Sequence, residues 1–257
     1  MKKYSDYEHA SISMSKDSQF IAALTRLFSE RTITHVFESG TFNGLGSTTT
    51  LAKTILSSKS KMEKFITLEV DQNFHSQAKR NLLSYSFITP VLGLSVSQSE
   101  ALEFISKDAA ILHHEKYPDI FIDNIEDPQG FYYNEIKGKL SQKTESWLGF
   151  LSFFRKPHLN EFVENAFDKF LPEFKGKSSL ILLDSAGGLG FFEFQKVSQL
   201  LADESYCLIL DDIHHLKHFR SYETIKMDAR FSILDINLDH GWLIAEHYGN
   251  NSSTKSS

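Results

Sequence analysis

HVFESGTFNGLGSTTTLAK, from His35 to Lys53, is the stretch on which the fold turns. An apolar run from Ile33 to Phe37 leads into it. The chain then turns at Glu38-Ser39-Gly40, passes Gly44 and Gly46, and enters a small-residue segment, Ser47-Thr48-Thr49-Thr50-Leu51-Ala52. This reads as strand, glycine loop, helix. Glycine is needed where a backbone takes a positive φ, or where a ligand lies against the main chain with no Cβ between. A loop from the C-terminal end of a strand to a helix N-terminus is where open α/β sheets bind nucleotide-like ligands. The spacing Gly40, Gly44, Gly46 does not fit the dinucleotide pattern G-x-G-x-x-G, and the Gly-Lys-Ser/Thr ending of a phosphate loop is absent.

A second signal follows at the expected distance. The apolar run Phe65-Ile66-Thr67-Leu68 ends in Glu69-Val70-Asp71, and Glu69 lies 23 residues after Gly46. A carboxylate about 20 residues beyond a nucleotide loop accepts hydrogen bonds from ribose hydroxyls. Asp71 reads as the N-cap of a helix with Ala78, Leu82 and Leu83 on its buried face.

Together these stretches resemble the first two motifs of class I S-adenosylmethionine-dependent methyltransferases, the first in the form E-x-G-T-x-x-G-x-S-T. The resemblance implies that Glu38 meets the methionine part of the cofactor, with Gly40, Thr41 and Gly44 around it and Glu69 on the ribose. It implies a Rossmann-like, mostly parallel α/β sheet of seven strands with a C-terminal antiparallel hairpin and helices on both faces. It also places the turn after the third strand, Leu94-Ser95-Val96, near the adenine, with Ser95 as a cofactor contact.

The 257 residues suffice for one large α/β domain, and 41% hydrophobic with 23% charged residues allows a buried core on a soluble surface. Net charge is −6, which argues against an electrostatic nucleic-acid binder. Cys207 is the one cysteine and sits in an apolar run, so it forms no internal disulfide. The N-terminal segment has two lysines with no apolar stretch behind them and does not read as a signal peptide. No run approaches the ~20 apolar residues of a membrane helix. A cytoplasmic enzyme, without a membrane or nucleic-acid partner and with a homodimer as its assembly, is the expectation.

The periodicity predicts a leading helix over Ser15–Glu30, strands over 64–68 and 88–92, and helices over 73–84 and 98–106. Residues 1–249 read as one domain with an insertion at about 107–177; residues 250–257 read as a disordered tail. Two runs compete for strand four, Asp119–Asp123 and Leu180–Asp184. The second is chosen, because a helix and a further strand, Tyr206–Leu210, complete the alternation behind it. The insertion, read as mainly helical, carries Phe131, Tyr132, Tyr133, Trp147, Phe150, Phe153 and Phe154, either lining an acceptor pocket or packing as a hydrophobic layer. Apolar residues from Leu159 to Leu171 at helical spacing predict a helix at its end. Ser185–Gly190 reads as a flexible loop, His218–Met227 as a helix, and Phe231–Ile236 with Trp242–Glu246 as a closing hairpin.

Asp184, Asp211 and Asp212 fall at the C-terminal ends of strands four and five. Three converging carboxylates need a cation or a proton, and oxygen-only ligation suits Mg²⁺. The pattern resembles metal-dependent O-methyltransferases that act on catechols and macrolide sugars, although Asp-Ser-Ala-Gly-Gly replaces the run that the sugar enzymes carry after strand four. The resemblance implies a small-molecule or sugar acceptor. A bound cation would lower a hydroxyl's pKa, and His214 or His215 could take the proton. Asp184 counts both as a metal ligand and as a cofactor or catalytic contact. The rival readings are an NAD(P)-linked oxidoreductase on a similar sheet and a cofactor-binding protein without turnover.

Overall fold

The computed structural model describes residues 14–58, 60–141, 162–185 and 187–250. Strands β1 (His35–Ser39), β2 (Lys64–Glu69), β3 (Ile88–Leu92), β4 (Ser179–Leu183), β5 (Tyr206–Leu210), β6 (Phe231–Asn237) and β7 (Trp242–His247) form one sheet in the order β3-β2-β1-β4-β5-β7-β6. The pairs among β1 to β5 are parallel, and β7 runs antiparallel to both β5 and β6. This is the Rossmann-like seven-stranded sheet expected from the sequence. β1, β4 and β5 are buried along their whole length, which is why β4 and β5 read as near-continuous apolar runs rather than alternating ones.

Strand alternation divides the core into two layers. Val36, Phe65, Leu180, Leu182 and Ile209 face α1 (Ser18–Glu30), α2 (Ser47–Ser57) and α3 (Gln72–Asn81). Phe37, Ile66, Ile181, Leu183 and Leu210 face the opposite layer. That layer holds α4 (Gln98–Lys107), α5 (Ala109–Leu112), α6 (Pro128–Ser141), α7 (Ala166–Phe170), α8 (Gly190–Leu200) and α9 (Phe219–Met227). The chain leaves β1 toward β2 and β3, then returns to β4 on the other side of β1. The resulting switch point between β1 and β4 opens a crevice at the strands' C-terminal ends.

Choosing Leu180–Asp184 over Asp119–Asp123 as strand four agrees with the sheet. Phe121 instead makes an isolated bridge to His215 beside the β5–α9 connection. Two other expectations are corrected. The helix expected from Leu159 to Leu171 starts only at Ala166; Leu159 lies outside the described residues. Val163 is extended, its N–H donating to Leu92 O and its carbonyl accepting from Leu94 N, each at 2.9 Å. Backbone groups at the end of β3 thus compete successfully with the helical turn. The apolar residues stay buried, because Ala166, Phe167 and Leu171 pack in the core through a short helix and a 3-10 turn. Gly187–Gly190 is not a loose loop but a 3-10 turn, Gly187–Leu189, running into α8. Among the described residues, no helix is long and apolar enough to cross a membrane.

Candidate active site

A cavity of about 490 Å³ opens at the switch point. Gly40, Glu69, Ser95 and Asp184, all expected cofactor contacts, line it together. Gly40 has φ 97°, and a Cβ there would overlap the carbonyl oxygen of Asp184. Asp184 N donates to Ser39 O at 3.0 Å, so the ends of β1 and β4 are closed tightly against each other and only glycine fits the turn. Glu69, at the end of β2, accepts from Phe42 N at 2.7 Å and from Asp71 N at 2.8 Å. Its carboxylate fastens the first loop to the second beside the cavity. Asp71 caps α3 through Asn73 N and Phe74 N, as expected. Phe42 and Phe74, 4.1 Å between ring centroids, form one wall.

Three of the expected cofactor contacts, Glu38, Thr41 and Gly44, do not line the cavity. Glu38 is fully buried and points into the α2 side of the sheet, as strand alternation from Val36 requires. Its carboxylate accepts from Ser47, Thr48 and Thr67 hydroxyls, each at 2.6 Å. Burial pushes its pKa up to about 7 despite those three donors. Thr41 is buried and shares a hydrogen bond with Thr67 at 2.5 Å. Gly44 packs on α3, where a Cβ would lie 3.0 Å from Leu82 Cγ. These residues shape the loop from beneath.

Asp184, Asp211 and Asp212 do converge, with one carboxylate oxygen of each within 4.8 Å of the others. The sequence reading missed what stands among them. Lys217 is 4% exposed, and its Nζ donates to Asp212 at 2.8 Å and to Asp184 at 3.1 Å. Burial alone would push the lysine pKa down, but the three aspartates reverse this and hold it above its ordinary value. The ammonium in turn holds Asp212 at about 2. Burial raises Asp184, and burial with the two neighbouring carboxylates raises Asp211 well above the usual range. Oxygen donors alone would suit a hard divalent ion. An ammonium already on two of the three carboxylates disfavours one, since two cations so close together in a buried site repel.

The two histidines have other partners. His214 Nε2 hydrogen-bonds Leu238 O at 2.7 Å, in the turn between β6 and β7. His215 accepts Lys217 N–H at Nδ1 and pairs through Nε2 with Asp123, both at 3.0 Å. Neither lines the cavity. Asp123, at the end of the rejected strand run, thus belongs to the shell around Lys217.

Glu193 was also missed, because one helical glutamate carries no spacing signal. It is buried in α8, lines the cavity, and accepts from Ser185 at 2.6 Å and Ser39 at 3.1 Å. It thereby joins the ends of β1 and β4. Burial raises its pKa, with serine hydroxyls partly offsetting the shift. From the insertion, α6 lends Glu135 and Ile136 to the cavity wall. Tyr132 is buried in the core with its hydroxyl on Asp123 N at 3.2 Å, so it packs as a layer rather than facing an acceptor. Phe131 is 39% exposed. Trp147, Phe150, Phe153 and Phe154 lie outside the described residues.

No protein-family profile and no curated protein matches the chain. Among solved structures, it is similar to an O-methyltransferase from Bacillus cereus in complex with S-adenosylhomocysteine, with 15% identity, TM-score 0.47, and 96% of this chain and 92% of that one covered. It is also similar to the O-methyltransferase TomG from Streptomyces achromogenes, involved in tomaymycin synthesis, in complex with S-adenosylmethionine, with 13% identity, TM-score 0.47, and coverage of 96% and 92%. A third similar structure is an rRNA methylase from Streptococcus thermophilus, with 11% identity, TM-score 0.37, and coverage of 90% and 95%.

Proposed function

We propose that the chain is an S-adenosylmethionine-dependent methyltransferase acting on an oxygen of a small-molecule acceptor. One observation carries this reading: Glu69, Gly40, Ser95 and Asp184 come from four separate strand ends and line a single cavity at the switch point of the sheet. Its volume, about 490 Å³, lies within the range of small-ligand sites. Glu69 lines the cavity and would accept from ribose hydroxyls beside its two backbone donors. In this reading Ser95 and Leu94 would hold the adenine end, and Gly40 would leave the main chain bare for the methionine end.

When bound, the cofactor supplies an electrophilic methyl carbon: its bond to sulfur breaks as a bond to the acceptor oxygen forms, and the electron pair stays on sulfur. The chain's part is to orient the acceptor and hold the hydroxyl proton. Asp184 is the carboxylate for that proton, since it lines the cavity and burial raises its basicity. Mg²⁺ is left out of this scheme, because Lys217 already lies on its expected ligands. Among the described residues, the lining includes Glu69, Asp71, Glu135, Asp184 and Glu193 against one cation, Lys217. Such a wall disfavours a polyanionic acceptor such as RNA.

Isothermal titration with S-adenosylmethionine, S-adenosylhomocysteine and NAD⁺ tests the reading. Binding of the first two and not the third is expected. Binding of NAD⁺ alone overturns it in favour of a nicotinamide enzyme.

A further inference from the structure

We infer that the Lys217 ammonium is the built-in cation of this site, standing where a divalent metal would otherwise bridge Asp184, Asp211 and Asp212 and offering its remaining N–H to the acceptor oxygen. The inference rests on the methyltransferase reading for the identity of that oxygen, and on geometry for the rest.

Three observations carry it. First, Nζ lies 3.1 Å from Asp184 and 2.8 Å from Asp212, within a cluster whose oxygens lie within 4.8 Å of one another. An ion bound there at ordinary oxygen distances would sit against the ammonium, and like charges in a buried site repel strongly. Second, the fold is shaped around the lysine. A Cβ on Gly190, the first residue of α8, would overlap Lys217 Cγ and lie 2.7 Å from its carbonyl oxygen. His215 Nδ1 accepts the lysine's own N–H at 3.0 Å, which pins the backbone that presents it. Third, Lys217 lines the cavity although it is only 4% exposed. An ammonium has three donors. Two go to Asp184 and Asp212, and one is left for an oxygen in the cavity.

A consequence for the acceptor follows. A metal held by carboxylates favours acceptors with two adjacent oxygens, because it binds both. A single N–H asks for one oxygen. The site therefore suits an isolated hydroxyl as well as a vicinal diol, and Lys217 acts as a positioning group that stays charged throughout transfer.

Mn²⁺ titration followed by electron paramagnetic resonance, on the full chain, tests this. The wild type is expected to bind no Mn²⁺ at millimolar concentration. Lys217→Met keeps an unbranched stem without the charge, and it is expected to gain Mn²⁺ binding that Asp184→Asn in the same background removes. Wild-type binding that Asp184→Asn abolishes overturns the inference, as does a folded Lys217→Met that binds no more than the wild type. If Lys217→Met does not fold, the wild-type melting temperature decides: indifference to Mg²⁺ and to chelator supports the inference, and a rise with Mg²⁺ that Asp184→Asn removes overturns it. S-adenosylhomocysteine titrated into the same wild-type sample separates the two readings, because its failure to bind strikes the methyltransferase assignment and leaves the metal result standing.

Discussion

Glu38 and Glu69 are both strand-end glutamates, and the fold gives them opposite surroundings. Glu38 lies inside the sheet under three hydroxyls and titrates near 7 against an ordinary 4.5. Between those values the folded state holds a proton that the unfolded chain has released. Stability is therefore lost as pH rises from about 4.5 towards about 7, by roughly 3 kcal/mol for a shift of this size. Glu38→Gln has no proton to lose. Its urea-unfolding free energy is expected to fall less between pH 5 and pH 7 than that of the wild type, and an identical slope would refute the buried-carboxylate account. Glu69 reaches the cavity, and charge-assisted hydrogen bonds of this kind contribute about 1.5–3 kcal/mol. Glu69→Ala is expected to weaken S-adenosylhomocysteine binding by about 10- to 100-fold in calorimetry. An unchanged affinity would remove Glu69 from the site.

The elements are held by contacts that local sequence does not advertise. Asp17 caps α1 through Gln19 N at 2.8 Å, and also accepts Trp242 Nε1 and His240 Nδ1, both at 2.6 Å. One carboxylate thus fastens the leading helix to β7. Asp17→Ala removes a cap, about 1 kcal/mol, and leaves a buried indole N–H unpaired, about 1–3 kcal/mol. A loss of about 2–4 kcal/mol in chemical denaturation is expected. The two loop glycines separate in the same way. Gly44→Ala meets Leu82 Cγ at 3.0 Å and Ala78 Cα at 3.2 Å, both tight but not overlapping, and should cost about 1–2 kcal/mol for its left-handed backbone. Gly40→Ala adds an overlap with the fixed backbone of Asp184, so its loss of stability is expected to exceed that of Gly44→Ala clearly. Equal losses would show that the close approach of β1 and β4 is not what selects glycine.

At the scale of the molecule, β7 is inserted between β5 and β6, and Leu243, Ile244 and Ala245 are buried there. A chain cut after Asp228 would leave the edge of β5 unpaired and both core layers open beside it. Such an edge templates association. The truncated chain is expected to elute as aggregate and to unfold without a cooperative transition. A monomeric, cooperatively folding fragment would show that the sheet closes without its hairpin.

Much of the architecture was legible in the chain itself. Apolar runs of strand length, the strong turn at Gly40 and the cap at Asp71 are local signals, and they located all seven strands and the cavity's first two loops. The three aspartates could be read because each ends a strand, and parallel strand ends share an edge. Lys217, Glu193 and Asp123 could not be read, since each meets its partners only after α8, α9 and the segment at 121–123 pack together. Sequence periodicity reports which face of an element is apolar. It does not report which side chains from distant elements come to share one buried volume, and there charge must be balanced by whatever the packing brings within reach. Hence the positions of the strands along the chain were written in the residues, whereas their order in the sheet, the cation among the aspartates and the burial of Glu38 were decided by tertiary contact.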